Sequence, residues 1–426
     1  MIGPSRISTA ADWALLIVDQ LMKVAEVAVS LSAMYLYLLA LAAARRRTAA
    51  ASRDPRHRFA IAIPAHNEAD VIGETVSTLL RLDYPRHLFD IHVVADHCTD
   101  DTAGVVRATG GYVHERNGGH RGAKGAALEW LFQRILGSGS MPGSAAPYDA
   151  VVVFDADTQV EPTFLRVMDA RLAGGDQVIQ GQHRISNPQD GWLPALVWAM
   201  FIVDNRFQNL GRSNLGWSAK HMGDSICFRA AVLGRLGWGE GLTEDYAFRQ
   251  RLLLEGIRIR YEPGAIGRGE APTSWRTAKG QRTRWLRGTH DASQRYGQKL
   301  FREGLRRRDL ALLDGALQAS LPSFSSLTLI ALGGWLLQGI LSLYRLKAAG
   351  HRRGPILNLW SGVLGVLFCY PFLGLAMDRA PFKAYQAILL GPLFVFWRTW
   401  LAVASRRQSA VTWVRTPRRG RSRTVQ

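Results

Sequence analysis

The chain of 426 residues is short of acid and of sulfur. Only 34 Asp and Glu stand against 53 Lys and Arg, a formal charge of +19. The three cysteines, Cys98, Cys227 and Cys369, lie far apart, which excludes a disulfide scaffold and a four-cysteine zinc site. Apolar residues make up 47%, too many for a disordered chain. The length excludes a single small module and suggests two or three units. A mean hydropathy of −0.03 conceals an uneven distribution, with a polar middle and long apolar stretches at both ends.

Residues 24–44 (VAEVAVSLSAMYLYLLALAAA) carry one charge, Glu26, and are long enough for a helix across a hydrocarbon core about 30 Å thick. Arg45, Arg46 and Arg47 follow at once. Positive residues favour the cytosolic side, so the chain beyond them is expected in the cytosol. A cleavable signal peptide would need a basic start, a shorter apolar core and a small-residue cleavage site, an order absent here. Near the C-terminus, 320–343, 355–377 and 384–404 are also apolar. If all three crossed, the arginine-rich tail from Arg406 would face outward, against the positive-inside rule. Pro322, nearby serines and Gly333–Gly334 suggest that 320–343 dips without crossing. The chain would then cross three times, with four crossings as the alternative. Attraction to anionic headgroups accounts for the basic excess, and no nucleic-acid partner is expected.

The middle alternates short apolar runs with helical patterns. Strands are expected at 59–64, 89–95 and 151–154, with helices over 68–82 and 99–109. Such alternation of apolar strands and helices implies an α/β fold with a mainly parallel sheet covered on both faces. Ligands in such sheets sit beyond the carboxyl ends of the strands. Polar residues gather there: Pro64-Ala65-His66-Asn67-Glu68, then Asp96 to Asp101, then Asp155-Ala156-Asp157. Each group alone could cap a helix. Asp155 and Asp157, however, flank one residue past a buried strand, and their mutual repulsion is relieved by a divalent cation. Hard oxygen ligands suit Mg²⁺ or Mn²⁺, which would also bridge a diphosphate.

Five motifs in order, PAHNE at 64–68, the Asp96 turn, DAD at 155–157, TED at 243–245 and QRTRW at 281–285, resemble those of membrane-bound family 2 glycosyltransferases of the cellulose, hyaluronan and chitin synthase type. The resemblance covers residues 58–290 and implies a GT-A fold. It also implies a nucleotide site formed by Pro64, Ala65, Glu68, Asp96, Lys124 and Asp155, with Asp157 beside Asp155 on the metal. Asp245, with Glu244, would supply the general base. Gln281, Arg284, Trp285 and the turn at Gly223-Asp224 would hold acceptor or diphosphate. Arg121-Gly122-Ala123-Lys124 departs from the family's usual Arg-Gly-Lys by one inserted alanine, which loosens the assignment of Lys124. Thr412 to Thr416 resembles a C-terminal segment of related synthases.

The expected activity is inverting transfer from a UDP-sugar to a lipid-linked or growing glycan acceptor, forming a β-glycoside, as in exopolysaccharide or glycolipid synthesis. The small number of spans favours a glycolipid or short product over a long polymer. A non-catalytic membrane scaffold with a transferase-like domain is the alternative. The expected division is an anchor over 1–47, the cytosolic domain over 48–290, interfacial amphipathic helices over 291–318, a membrane region over 319–405 and a basic cytosolic tail over 406–426. An excess of arginine over lysine points to a GC-rich bacterium and hence to its inner membrane.

Overall fold

The computed structural model describes residues 10–46, 48–118, 124–137, 147–239, 241–349 and 359–405. The tail over 406–426 and the triplet Arg121-Gly122-Ala123 lie outside them. Eight strands form one sheet: β1 Phe59–Ala65, β2 Phe89–Asp96, β3 Tyr112–Arg116, β4 Ala150–Val153, β5 Gln159–Val160, β6 Val178–Ile185, β7 Ile226–Arg229 and β8 Ile259–Gly269. Their order is β3-β2-β1-β4-β7-β6-β8-β5.

The three strands expected from sequence are β1, β2 and β4, and they are neighbours. β1 pairs in parallel with both others, Phe59 opposite Phe89 and Ala150. Parallel pairing also joins β2 to β3 and β6 to β8. β7 is antiparallel to β4 and β6, and β5 to β8, so the parallel pattern holds for only part of the sheet. The short β3, β5 and β7 lack the long apolar run that marks a buried strand.

Side chains alternate across a strand, and β1 divides accordingly. Phe59, Ile61 and Ile63 join Ile72, Val76 and Leu79 of the helix Ala69–Leu80 on one face. Ala60 and Ala62 meet Leu128 and Leu131 of the helix Lys124–Leu136 on the other. Both faces are thus dry, and the polar ends of β1, β2 and β4 emerge side by side.

Among the described residues, three helices are long and apolar enough to cross a membrane: Trp13–Ala42, Phe324–Tyr344 and Leu359–Met377. A fourth candidate is a pair, Phe382–Leu389 with Gly391–Ala404, bent by 52°. The segment expected to dip without crossing, 320–343, is thus a continuous helix long enough to cross, and three or four crossings both fit these lengths. Pro322 precedes the helix Phe324–Ala349 rather than breaking it, and Ser323 Oγ accepts from Ser326 N at its start. Gly334 admits the Trp360 ring of the next helix: a Cβ there would lie 2.6 Å from it. The break falls instead at Leu390–Gly391, ahead of Pro392, where proline opens a new helix.

A second difference concerns the surface helix. It runs unbroken from Trp275 to Arg307, so the QRTRW motif lies within it and residue 290 is interior to it. Leu310–Ser320 follows as a separate helix. The basic composition of 276–308 has no apolar run to mark a start, whereas Ser274 caps it by accepting from Thr277 N.

Candidate active site

The strand ends are held by backbone geometry that side chains rarely tolerate. Asn67, His97 and Ser225 have φ of 54°, 50° and 55°, in the left-handed region. Such residues cluster where a site over-determines the chain. Asn67 and Thr99 bind one another across the gap between β1 and β2: Thr99 N donates to Asn67 Oδ1 at 2.7 Å, and Asn67 Nδ2 to Thr99 Oγ1 at 3.0 Å. Asp100 is engaged in capping, since its carboxylate accepts from Ala69 N and Thr102 N.

Asp96 ends β2, buried, and its carboxylate accepts from the Arg116 guanidinium while facing His97 Nδ1 at 2.9 Å. His66 Nδ1 lies 2.6 Å from the Asp96 carbonyl. Ala65 and Glu68 are buried and Pro64 half-buried at the end of β1, and Glu68 N donates to Thr102 Oγ1. Cys98 sits beside this turn, and burial pushes its thiol up, away from nucleophilic use.

Beyond β4, Lys124 Nζ donates to Asp155 Oδ1 and, at 2.6 Å, to the Gly223 carbonyl. Burial opposes the lysine's charge, but Asp155 and Glu244 outweigh it and hold its pKa above the ordinary value. One ammonium thus ties the DAD turn to the Gly223 turn, within the field of Glu244. Gly125 lets its helix approach TED, because a Cβ there would meet the Glu244 side chain at 2.9 Å.

Asp224 is the hub. Its Oδ1 accepts from Asp155 N at 3.0 Å and Thr158 Oγ1 at 2.9 Å. Its Oδ2 lies 2.7 Å from His183 Nδ1 and accepts from Ser225 Oγ at 3.0 Å. Burial alone would raise this carboxyl; the His183 hydrogen bond and charge, then Lys124, bring it down to about 2. Asp224 therefore stays ionised. Gln180 clamps the same turn, donating to the Asp224 carbonyl at 2.8 Å and accepting from Met222 N at 2.9 Å. The sequence reading missed His183 and Gln180. They belong to β6, whose role depends on a strand order with no local signature.

Asp245 and Glu244 open the helix Glu244–Leu254. Asp245 accepts from Tyr246 N at 2.7 Å, and Tyr246 Oη lies 3.2 Å from Ser293 Oγ on the surface helix. Gly223 has φ +77 and faces Asp245: a Cβ would sit 3.1 Å from Oδ2. Burial raises both carboxyls, and Asp245 adds to the rise at Glu244, which reaches about 7.

A cavity of about 2380 Å³ joins these parts. Asp155, Asp157, Asp224, Asp245, Gln281 and Trp285 all line it. Pro64, Ala65, Glu68, Asp96, Lys124, Gly223, Glu244 and Arg284 are not among the residues that line it, although the Arg284 charge still pulls the Asp245 carboxyl down. Arg282, two residues earlier in QRTRW, lines the cavity instead. Among the described residues no three His, Cys, Asp or Glu side chains group closely enough to hold a metal by themselves. Two carboxylates past β4 suit a hard cation that takes its other oxygens from water and a diphosphate.

Residues 55–288 match the model described as glycosyltransferase like family 2. The chain belongs to that family. Among similar curated proteins, the poly-beta-1,6-N-acetyl-D-glucosamine synthase of Staphylococcus epidermidis is 25% identical over 244 residues, 54% of this chain and 54% of its own. The beta-monoglucosyldiacylglycerol synthase of Synechocystis is 28% identical over 260 residues, 58% of this chain and 50% of its own. The chain thus spans about half the length of these relatives. A mannosyltransferase from Pyrobaculum calidifontis, solved with GDP-Man and Mn²⁺, superposes with a TM-score of 0.54 at 17% identity, covering 84% of this chain and 99% of its own. That likeness is one of fold, and the fold of this family 2 glycosyltransferase is GT-A, as expected from its motifs.

Proposed function

We propose that this family 2 glycosyltransferase moves a sugar from a UDP-sugar to a lipid-linked or glycan acceptor at the membrane surface, inverting the anomeric centre. The supporting observation is that Asp155, Asp157, Asp224, Asp245, Gln281 and Trp285 line a single cavity that continues between the apolar helices. The acidic strand-end face would take the donor, and the helix-lined face the acceptor. In this reading Asp155 and Asp157 hold Mg²⁺ or Mn²⁺, which when bound neutralises the diphosphate. Asp96, Glu68, Ala65 and Pro64 shape the nucleoside side, and Lys124 positions Asp155.

The acceptor oxygen forms its bond to the anomeric carbon as that carbon's bond to the diphosphate breaks, releasing UDP. The acceptor proton passes to Asp245, whose raised basicity suits the task. Glu244 shares the local charge, and Gln281, Arg284 and Trp285 orient acceptor and leaving group. The relatives include both a poly-N-acetylglucosamine synthase and a glucosyldiacylglycerol synthase. The few spans favour the glycolipid side. A cytosolic catalytic domain on a bacterial inner membrane fits a cytosolic nucleotide donor.

UDP release by the purified chain in nanodiscs, across UDP-sugars with Mg²⁺ or Mn²⁺, tests the reading. Release with one sugar and its loss in Asp245→Asn, with UDP affinity retained, is the expected result. UDP binding without turnover on any donor or added acceptor lipid would favour the scaffold alternative, and absence of UDP binding would overturn the proposal.

A further inference from the structure

The cavity changes chemistry along its length. Asp155, Asp157, Asp224 and Asp245 line one part, while the part between the apolar helices is walled by Leu327, Leu364, Leu367, Phe368 and Phe394. Two guanidinium groups, of Arg282 and Arg398, line that second part. Arg282 rises from the surface helix, its Cζ 4.9 Å from the Trp285 ring centroid and 5.6 Å from that of Phe394. Arg398 lies midway along the apolar helix Gly391–Ser405, in the bent pair that is the fourth candidate span.

Among the described residues neither guanidinium has a hydrogen-bonded or ion-paired carboxylate. The acid whose field reaches both is Asp204, and its carboxylate already accepts from Lys220 Nζ at 2.6 Å. Burial first, and the Arg398 charge next, push Arg282 down to about 9. Aromatic faces offset only part of the cost of burying an arginine. A cation at membrane depth is costly and marks a ligand path. Arg282 lies against the ring of Phe394, one turn before Arg398 on its helix, so two guanidinium groups on one stretch of wall provide the planar donors that recognise phosphate oxygens.

We propose that this part of the cavity binds a phosphate-bearing lipid, with the phosphate between Arg282 and Arg398 and the acyl or prenyl chain along the apolar wall. The phosphate is held and not transferred. A neutral lipid would leave both cations unpaired, and a free phosphate would leave the apolar wall bare. The donor diphosphate belongs at the other, acidic end, so this site is separate from nucleotide binding and goes beyond the transferase reading.

Native mass spectrometry of the detergent-purified full chain, titrated with phosphatidic acid, diacylglycerol and inorganic phosphate, tests it. Phosphatidic acid should bind at least tenfold more tightly than either alternative. Arg282→Gln with Arg398→Gln should lower its affinity at least tenfold and leave diacylglycerol and UDP binding unchanged. The charge-keeping pair Arg282→Lys with Arg398→Lys should lose less affinity than the glutamine pair but fall short of the native protein, because lysine lacks the planar fork. If the double glutamine variant does not fold, Arg282→Gln alone, on the surface helix, should weaken phosphatidic acid at least threefold. Unchanged phosphatidic acid affinity in a folded glutamine variant would overturn the proposal. So would equal binding of diacylglycerol or of inorganic phosphate, or a parallel loss of UDP affinity, which would assign the arginines to the donor. A failed transferase assay leaves this binding result standing, so the two ideas fail separately.

Discussion

Glu244 and Asp245 stand side by side in the first turn of one helix, and Lys124 is the nearest compensating charge from another element. A carboxyl raised by burial favours its neutral form. Its contribution to stability is therefore complete below the unfolded value near 4.5 and is lost as pH rises through about 7. The full shift corresponds to ~3 kcal/mol at most. Thermal melts between pH 5 and 8 should show the native protein losing more stability than Glu244→Gln; parallel curves would remove Glu244 from this role. Asp157→Ala addresses the neighbouring question of metal. It should abolish the gain in UDP affinity on adding Mn²⁺, read by calorimetry, while affinity without metal stays within about twofold; a preserved Mn²⁺ effect would place the ion elsewhere. The DAD acids could be picked out from sequence because they follow an apolar run at a strand end, and the TED acids through their resemblance to a family motif. His183 and Gln180 could not, since their role depends on where their strand sits in the sheet, which leaves no local mark.

At the scale of elements, length and apolarity locate the spans, but continuity depends on neighbours. A glycine pair within 320–343 reads as a weak point in isolation. In the fold, Gly334 is where the Trp360 ring packs against its helix. Gly334→Val should accordingly cost ~1–3 kcal/mol by overpacking. Gly339→Val in the same helix, with nothing within 4 Å of its added Cβ, is the control and should leave the melting temperature unchanged. Equal effects of the two would show that helix propensity, and not the Trp360 contact, sets the outcome. The surface helix teaches the same point at its N-terminus. Charge and motif gave no boundary, while the Ser274 cap and the packing of Trp275 against Trp397, centroids 4.5 Å apart, place its start.

Across the molecule, the membrane-facing and sheet-bearing parts are joined by a buried polar knot. Arg212 donates to Asp314 at 2.9 Å and to Tyr35 Oη of the N-terminal helix at 2.7 Å. Arg249, on the helix that begins with TED, lies 3.7 Å from the same Asp314. All three charged side chains are essentially excluded from solvent. Removing the one acid leaves two buried cations, a loss of about 3–5 kcal/mol. Asp314→Ala should therefore lower the melting temperature and loosen the N-terminal helix, seen as faster hydrogen exchange around Tyr35. Unchanged exchange there would mean that apolar packing alone fixes that helix.

By itself the amino-acid order determined the α/β core, the apolar helices and the succession of acidic turns, because each rests on local period or on a run of like residues. Only the tertiary structure decided which turns share a cavity, that Asp224 and His183 brace the DAD turn, that Arg282 and not Arg284 lines the space, and which apolar segment bends. Those outcomes depend on strand order and on helix contacts between residues far apart in the chain, where the energy of burying a charge or admitting a ring is set by the partner and not by the sequence around it.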